Sequence, residues 1–266
     1  MSVRQDSTQQ DEFTYFSAQS SWGVTKHPGG LRASFALADL CHITKDSRVL
    51  EVGSGVGLSA CHLAARYGCH ITGVDLSPKM VEWASRRAER LRDQVEFRTG
   101  DAQDLPFADG SFDAVLCESV TAFPADKHKA VSEYARVTRS GGYVGLNEAM
   151  WLQPPPAELV AYCERTMAHA VFLSSDGWKA LLESAGLQDV IAQPQQISAL
   201  RQRLDEYSGL DWQDWKDRLR GIMSFVGLYL RDPAFRQYAR EITPSMAVIR
   251  NLFRYLGYGL YVGRKS

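Results

Sequence analysis

The chain lacks the features that mark secreted, membrane-spanning and metal-built proteins. Its cysteines, Cys41, Cys61, Cys69, Cys117 and Cys163, are odd in number and form no C-x-x-C pair. That argues against a disulfide framework and suits a reducing compartment. Cys41, Cys61 and Cys117 lie in apolar patterns, where a thiol acts as a small hydrophobe. The polar start MSVRQDSTQQDEF has no signal-peptide apolar region, and no uninterrupted apolar run is long enough to span a membrane. These absences predict a cytoplasmic protein without a membrane partner. No His/Cys/Asp group has metal-ligand spacing along the chain, so no metal is expected. A net charge of −1 supplies no general attraction for nucleic acid. Internal repeats and low-complexity tracts are also missing.

What is present is ordinary for a globular chain of 266 residues, 45% hydrophobic and 23% charged. That length suits one large domain, or one domain with an insertion. The charge is uneven: residues 196–266 carry a net +5, and the remainder −6.

The organising stretch is Val49-Leu50-Glu51-Val52-Gly53-Ser54-Gly55-Val56-Gly57. An apolar run ends in an acid and three alternating glycines, and Ala60, Cys61, Leu63 and Ala64 follow at helical spacing. The pattern predicts strand, tight turn and helix, with glycines where a ligand must approach the backbone closely. A second strand, His70–Asp75, ends in an acid, and Ser77-Pro78 then starts a helix. A third strand, residues 95–98, leads to Gly100-Asp101-Ala102. A fourth, Phe112–Cys117, carries Glu118 at its carboxyl end. Ser140-Gly141-Gly142 is expected to be a turn before a fifth strand, Tyr143–Asn147. This alternation over residues 31–150 predicts a mostly parallel sheet covered on both faces.

Beyond Met150 the pattern turns helical, with a helix expected over 157–172 and another over 174–185. A strand is expected at Leu187–Ala192, and about sixty residues without a convincing one then precede a return to strand at Tyr258–Val262.

In combination, Val49–Gly57, Gly73–Ser77, Gly100–Ala102, Leu105-Pro106-Phe107, Phe112-Asp113 and Val137–Gly142 resemble the class I S-adenosylmethionine-dependent methyltransferases of the small-molecule, type 11-like kind. The resemblance covers about residues 46–148. It implies a doubly wound, seven-stranded, mostly parallel sheet whose last strand, at 257–264, is antiparallel. The implied organisation is a cover segment at 1–30, a core at 31–194 and 257–266, and a helical insertion at 195–256. The implied cofactor is S-adenosylmethionine, with S-adenosylhomocysteine as product. Glu51, Gly53, Ser54, Gly55 and Glu118 would meet its methionine end and Asp75 its ribose. Leu76 and Met80, with Leu105 or Phe107, would flank the adenine, and Asp101 and Ala102 would pair with its edge. His27 and Tyr15 are the candidates to position or deprotonate the acceptor, with Glu118 and His169 as further bases. His42, His62, His70 and His128 fall in helix or strand patterns and read as surface or satisfied residues.

Each residue has a plainer reading: Asp75 as a helix cap, Asp101 as a turn residue, Met80 as core and Asp113 as a structural contact. A nicotinamide oxidoreductase shares the glycine turn and the distal acid, but Leu58 stands where its third spaced glycine belongs. A non-catalytic cofactor binder is the other alternative. The expected acceptor is a small molecule, and the reading admits a homo-oligomer.

Overall fold

The structure, a computed structural model, describes residues 15–22, 27–197, 202, 204, 205 and 208–266. The polar start MSVRQDSTQQDEF lies outside these residues. The elements run α1 (Tyr15–Trp22), α2 (Gly30–Leu40), β1 (Arg48–Val52), α3 (Leu58–Tyr67), β2 (His70–Asp75), α4 (Pro78–Arg87), β3 (Val95–Thr99), β4 (Phe112–Glu118), α5 (Lys127–Val137) and β5 (Thr138–Trp151). Then come α6 (Ala157–Thr166), β6 (Leu173–Ser174), α7 (Ser175–Ser184), β7 (Leu187–Gln196), α8 (Trp212–Arg231), α9 (Pro233–Ile242), α10 (Met246–Tyr255) and β8 (Leu256–Lys265).

The strand order is β3-β2-β1-β4-β5-β8-β7, parallel except at β8, which is antiparallel to both neighbours. This is the expected doubly wound α/β sheet of seven strands. The two-residue β6 adds an eighth, pairing with the end of β5. The 257–264 strand is β8, one residue longer at each end.

Two boundaries differ from expectation. Residues 140–142 are not a turn but part of β5, which runs fourteen residues. Gly141, at φ 76°, lets the strand kink there while a register shift at Phe112/Ala114 on β4 takes up the slack. The helix expected to reach Phe172 ends at Thr166, because Ala168 and His169 take left-handed φ values of 47° and 57°.

Strand alternation builds two cores. Leu50, Val52, Val115, Cys117, Val144 and Leu146 pack toward α5 and α7, with Trp178 and Tyr134 fully buried among them. The alternate row, Val49, Ile71, Ala114 and Leu116, packs toward α2 and α3. All five cysteines are buried and free, and burial pushes the Cys61 and Cys117 thiols up to about 12. Among the described residues no helix is long and apolar enough to cross a membrane.

The described residues from Trp212 to Tyr255, between β7 and β8, are mostly helical. Phe225 of α8 meets Phe235 of α9 edge-on at 5.2 Å, and Tyr162 of α6 donates to the Ile242 carbonyl at 2.9 Å. Val248, Leu252 and Tyr255 of α10 pack on Leu159, Tyr162 and Cys163 with Trp151 and Phe172. Trp151, Phe172 and Tyr255 are thus partly buried against this cluster. α1 lies against α8.

Candidate cofactor and acceptor site

The site follows from the period of two. Along the row facing α2 and α3, apolar residues give way to polar ones at the carboxyl ends: Val49 to Glu51 on β1, Leu116 to Glu118 on β4, Gly145 to Asn147 on β5. β1, β4 and β5 are neighbours in the sheet, so these side chains converge. Glu118 stands opposite Asn147 in the register. The Asn147 amide donates to Glu118 Oε2 at 2.9 Å and to the Pro28 carbonyl at 3.1 Å.

His27 is held in the same place. Its Nδ1 is 3.4 Å from Glu118 Oε2 and 3.2 Å from the Asn147 amide nitrogen. Its Nε2 lies 3.4 Å from Ser34 Oγ on α2 and 3.3 Å from Ser59 Oγ on α3. Both serines are buried and 3.3 Å apart. Gly29 and Gly30, with φ of 77° and 52°, turn the chain from His27 into α2.

The glycine turn closes the other side. The Gly53 and Ser54 N–H groups both donate to the Val74 carbonyl, at 2.8 and 2.9 Å. Gly53 has φ 72°, and an added Cβ would stand 2.1 Å from Val120. Gly55, φ 52°, donates its N–H to Asp75 Oδ2 at 2.9 Å, while Asp75 Oδ1 accepts from Ser77 N–H at 2.9 Å. Asp75 is thus not the cap of α4. Ser77 is, and Asp75 ties the turn to the helix start. Burial raises the Asp75 carboxyl above its ordinary range, against the pull of the Ser77 and Gly55 N–H groups.

Several buried polar atoms here have no hydrogen-bond partner among the described residues. They are Glu51 Oε2, Ser54 Oγ, Glu118 Oε1, Ser119 Oγ, Asn147 Oδ1 and Glu148 Oε2. Unpaired buried oxygens are costly, and a cluster of them at one end of a sheet suits a cationic, hydrogen-bonding ligand. Burial drives the Glu51 carboxyl well above its usual range, the Glu118 charge adds to this, and the Ala60 N–H pulls the other way.

The adenine-side candidates differ in exposure. Leu76 is 71% exposed, whereas Met80 and Leu105 are buried. Phe107 packs edge-on against Phe112 at 5.0 Å. Asp101 is exposed, and its Oδ1 accepts from Gln103 N–H at 2.9 Å. Asp113 makes the structural contact expected of it, accepting from Arg48 N–H at 2.7 Å and from Arg139 at 2.5 Å. Tyr15 of α1 stacks near Phe123, just beyond β4, at 5.6 Å. Tyr229 stacks on Phe225 and lines a separate cavity of about 380 Å³ with Ala239, Arg240 and Thr243.

Sequence reasoning missed Asn147 and Glu148. The signal for Asn147 was its place on the same row as Gly145, at the end of a strand beside Glu118. Glu148, on the opposite face and fully buried, accepts N–H groups of Val120 and Thr121 at 3.0 and 2.7 Å. It fixes the loop leaving β4, and burial raises its carboxyl to about 7.

The family model described as a methyltransferase domain matches residues 50–146. A relative, 27-O-demethylrifamycin SV methyltransferase of Amycolatopsis mediterranei, is 31% identical over 198 residues, covering 72% of this chain and 69% of its own. The chain belongs to the S-adenosylmethionine-dependent methyltransferases. This methyltransferase is similar in fold to Haemonchus contortus phosphoethanolamine N-methyltransferase 2 in complex with S-adenosylmethionine. The TM-score is 0.70 at 18% identity, over 94% of this chain and 56% of that one. It is also similar in fold to the [4+2]-cyclase SpnF, with TM-score 0.69 at 20% identity over 93% and 92% of the two chains. The nicotinamide alternative finds no support among these relatives.

Proposed function

We propose that this methyltransferase moves a methyl group to a small-molecule acceptor by in-line displacement at the sulfonium. The carrying observation is the set of unpartnered buried oxygens at the carboxyl ends of β1, β4 and β5, beside the glycine turn. When bound, S-adenosylmethionine supplies an already activated methyl, so the chain has to bind, orient and exclude water. In this reading Glu51 and Glu118 hold the ammonium of the methionine end, and Gly53, Ser54 and Gly55 give the backbone cradle. Asp75 takes the ribose hydroxyls. Leu76 and Met80 flank the adenine, and Asp101 and Ala102 meet its edge.

His27 acts through Glu118, since its ring nitrogens lie against Glu118, Asn147, Ser34 and Ser59. Tyr15, beside Phe123 at the end of β4, faces the acceptor side, and burial raises its hydroxyl above its ordinary value. Residues 1–30 and 195–256 form the cover that selects the acceptor, a reading supported by α1 packing against α8. The expected setting is cytoplasmic, without metal, membrane or nucleic acid. The curated relative named for 27-O-demethylrifamycin SV, and ajmaline N-methyltransferase of Rauvolfia serpentina at 36% identity over 134 residues, support a small organic acceptor.

Self-association belongs to the same reading. One face of α8 carries Trp212, Leu219, Ile222, Val226 and Tyr229, separated by three, four or seven residues, and all are exposed. Such a seam suits a second copy of the chain.

A methyl-transfer screen across hydroxyl, amine, thiol and activated-carbon acceptors, read by S-adenosylhomocysteine formation, tests the proposal. Tight cofactor binding with no turnover on any class would favour the non-catalytic alternative.

A further inference from the structure

Arg87, the last residue of α4, has a side chain only 10% exposed and is shared between two parts of the molecule. Its Nε donates to the carbonyl of Val56, inside the glycine turn, at 3.0 Å. One terminal nitrogen donates to Asp214, and the other meets Asp217 Oδ2 at 3.0 Å. Asp214 and Asp217 lie in the first turns of α8. The Asp214 side chain is 4% exposed, and its Oδ2 is 2.6 Å from His62 Nε2 on α3. Asp211 and Asp214 cap the start of α8 by exchanging bonds with each other's backbone N–H at 2.9 Å.

Helix α3 leaves the glycine turn, and α4 follows the strand that ends in Asp75. So both basic groups seating α8 come from the elements that frame the turn. Burial alone would raise the Asp214 carboxyl. The His62 and Asp211 hydrogen bonds and the Arg87 charge outweigh it and hold the group low. No element of the sequence pattern announced this. His62 reads as a satisfied helix residue, and its partner is 152 positions away. His62, Asp211 and Asp214 bring possible ligand atoms within 4.8 Å of one another, although their spacing along the chain gives no such sign. The Arg87 guanidinium already supplies the positive charge there.

We infer that Arg87 is a positioning residue that couples the cofactor turn to the insertion, so that shaping the turn and seating α8 are one equilibrium. If α8 lifts, a buried guanidinium loses two carboxylates and is left on Val56 alone, and the turn loses its brace. Coupling between two sites is reciprocal, so cofactor binding must tighten α8 by the factor by which α8 tightens cofactor binding. The inference rests on the assignment of the cofactor to the glycine turn.

The test pairs calorimetry of S-adenosylhomocysteine binding with hydrogen exchange of residues 212–231, with and without that ligand. Wild type, Arg87→Gln, Arg87→Lys, Asp214→Asn and Asp217→Asn are compared after circular dichroism shows them folded. The wild type should bind, and binding should slow exchange in α8. Arg87→Gln and Asp214→Asn should each weaken binding by on the order of 10-fold and abolish the ligand-dependent protection of α8. The Arg87→Gln/Asp214→Asn double variant should be no weaker than the worse single one. Arg87→Lys keeps the charge but not three directed donors, so it should restore little. Asp217→Asn, which spares the Asp214 contact, should show a smaller loss in the same direction. It carries the test if the others do not fold. Wild-type affinity in a folded Arg87→Gln protein, ligand-dependent protection that persists in it, or additive losses in the double variant would each overturn the coupling. Failure of the wild type to bind at all would overturn the cofactor assignment itself, and the coupling with it.

Discussion

Asn147 faces Glu118 across two parallel strands and gives one amide hydrogen to its carboxylate and the other to the carbonyl of Pro28. One side chain therefore joins the end of β4, the end of β5 and the entry into α2. Asn147→Leu keeps the volume and removes both donors. It should cost about 1–3 kcal/mol in urea unfolding, because a buried carboxylate oxygen loses its partner. It should also weaken S-adenosylmethionine binding. Unchanged stability and affinity would mean that Glu118 is held by His27 alone.

Cofactor binding should release a proton. Glu51 lies beside Glu118, and burial and that neighbouring charge hold its carboxyl well above the usual range. An ammonium group favours the ionised form, so affinity should rise as pH rises through the titration of Glu51 in the free protein. Calorimetry in two buffers of different ionisation heat measures the proton directly. Glu51→Gln should bind more weakly and release none. An equal heat for wild type in both buffers counts against this account.

Glu148 should make the protein less stable as pH increases. Its carboxyl rises from 4.5 to about 7 on folding, because burial disfavours the charge. A raised folded value means that the native state keeps a proton the unfolded chain gives up. The stabilisation is therefore full below about pH 4.5 and is lost as pH climbs through about 7, amounting to about 3 kcal/mol. Glu148→Gln should flatten this dependence and gain on wild type at pH 8.5. Denaturation curves at pH 6 and 8.5 decide it.

Gly55→Val should abolish cofactor binding in a folded protein, since it places a β-branched side chain at φ 52° in the cradle. Asp75→Ala should weaken binding by about 1.5–3 kcal/mol, because a charged hydrogen-bonding group is lost. Asp101→Asn should weaken it less, because its carbonyl still accepts. Calorimetry on all three ranks them. Normal binding by Asp75→Ala would remove the ribose assignment.

The seam on α8 should hold two chains together. Light scattering after gel filtration should give twice the chain mass for wild type, and the chain mass for Ile222→Glu with Val226→Glu. A wild type that stays monomeric at micromolar concentration would overturn this.

The legible parts of the molecule were those written in consecutive residues. The glycine turn, the acids ending β1, β2 and β4, and the alternation of strands and helices all depend on local spacing. The cap of α4 went to Ser77, leaving Asp75 to brace the turn, and only the geometry separates these roles. Asn147 and Glu148 depend on which strand lies beside which and on which face each side chain takes. Residues 140–142 look like a turn, but glycine's left-handed backbone serves a kinked strand equally well. The contacts of His62 and Arg87 with α8 join positions more than a hundred residues apart, beyond the reach of any periodicity.

Gln196 and Gly257 are register partners on β7 and β8. Paired residues on antiparallel strands lie only about 4.5–5.5 Å apart. The sixty residues between them thus leave and rejoin the sheet at a single point, as an appendage on a closed frame. Side chains then hold this segment to the frame: Asp214 and Asp217 on Arg87, Ile242 on Tyr162, and Val248, Leu252 and Tyr255 on α6.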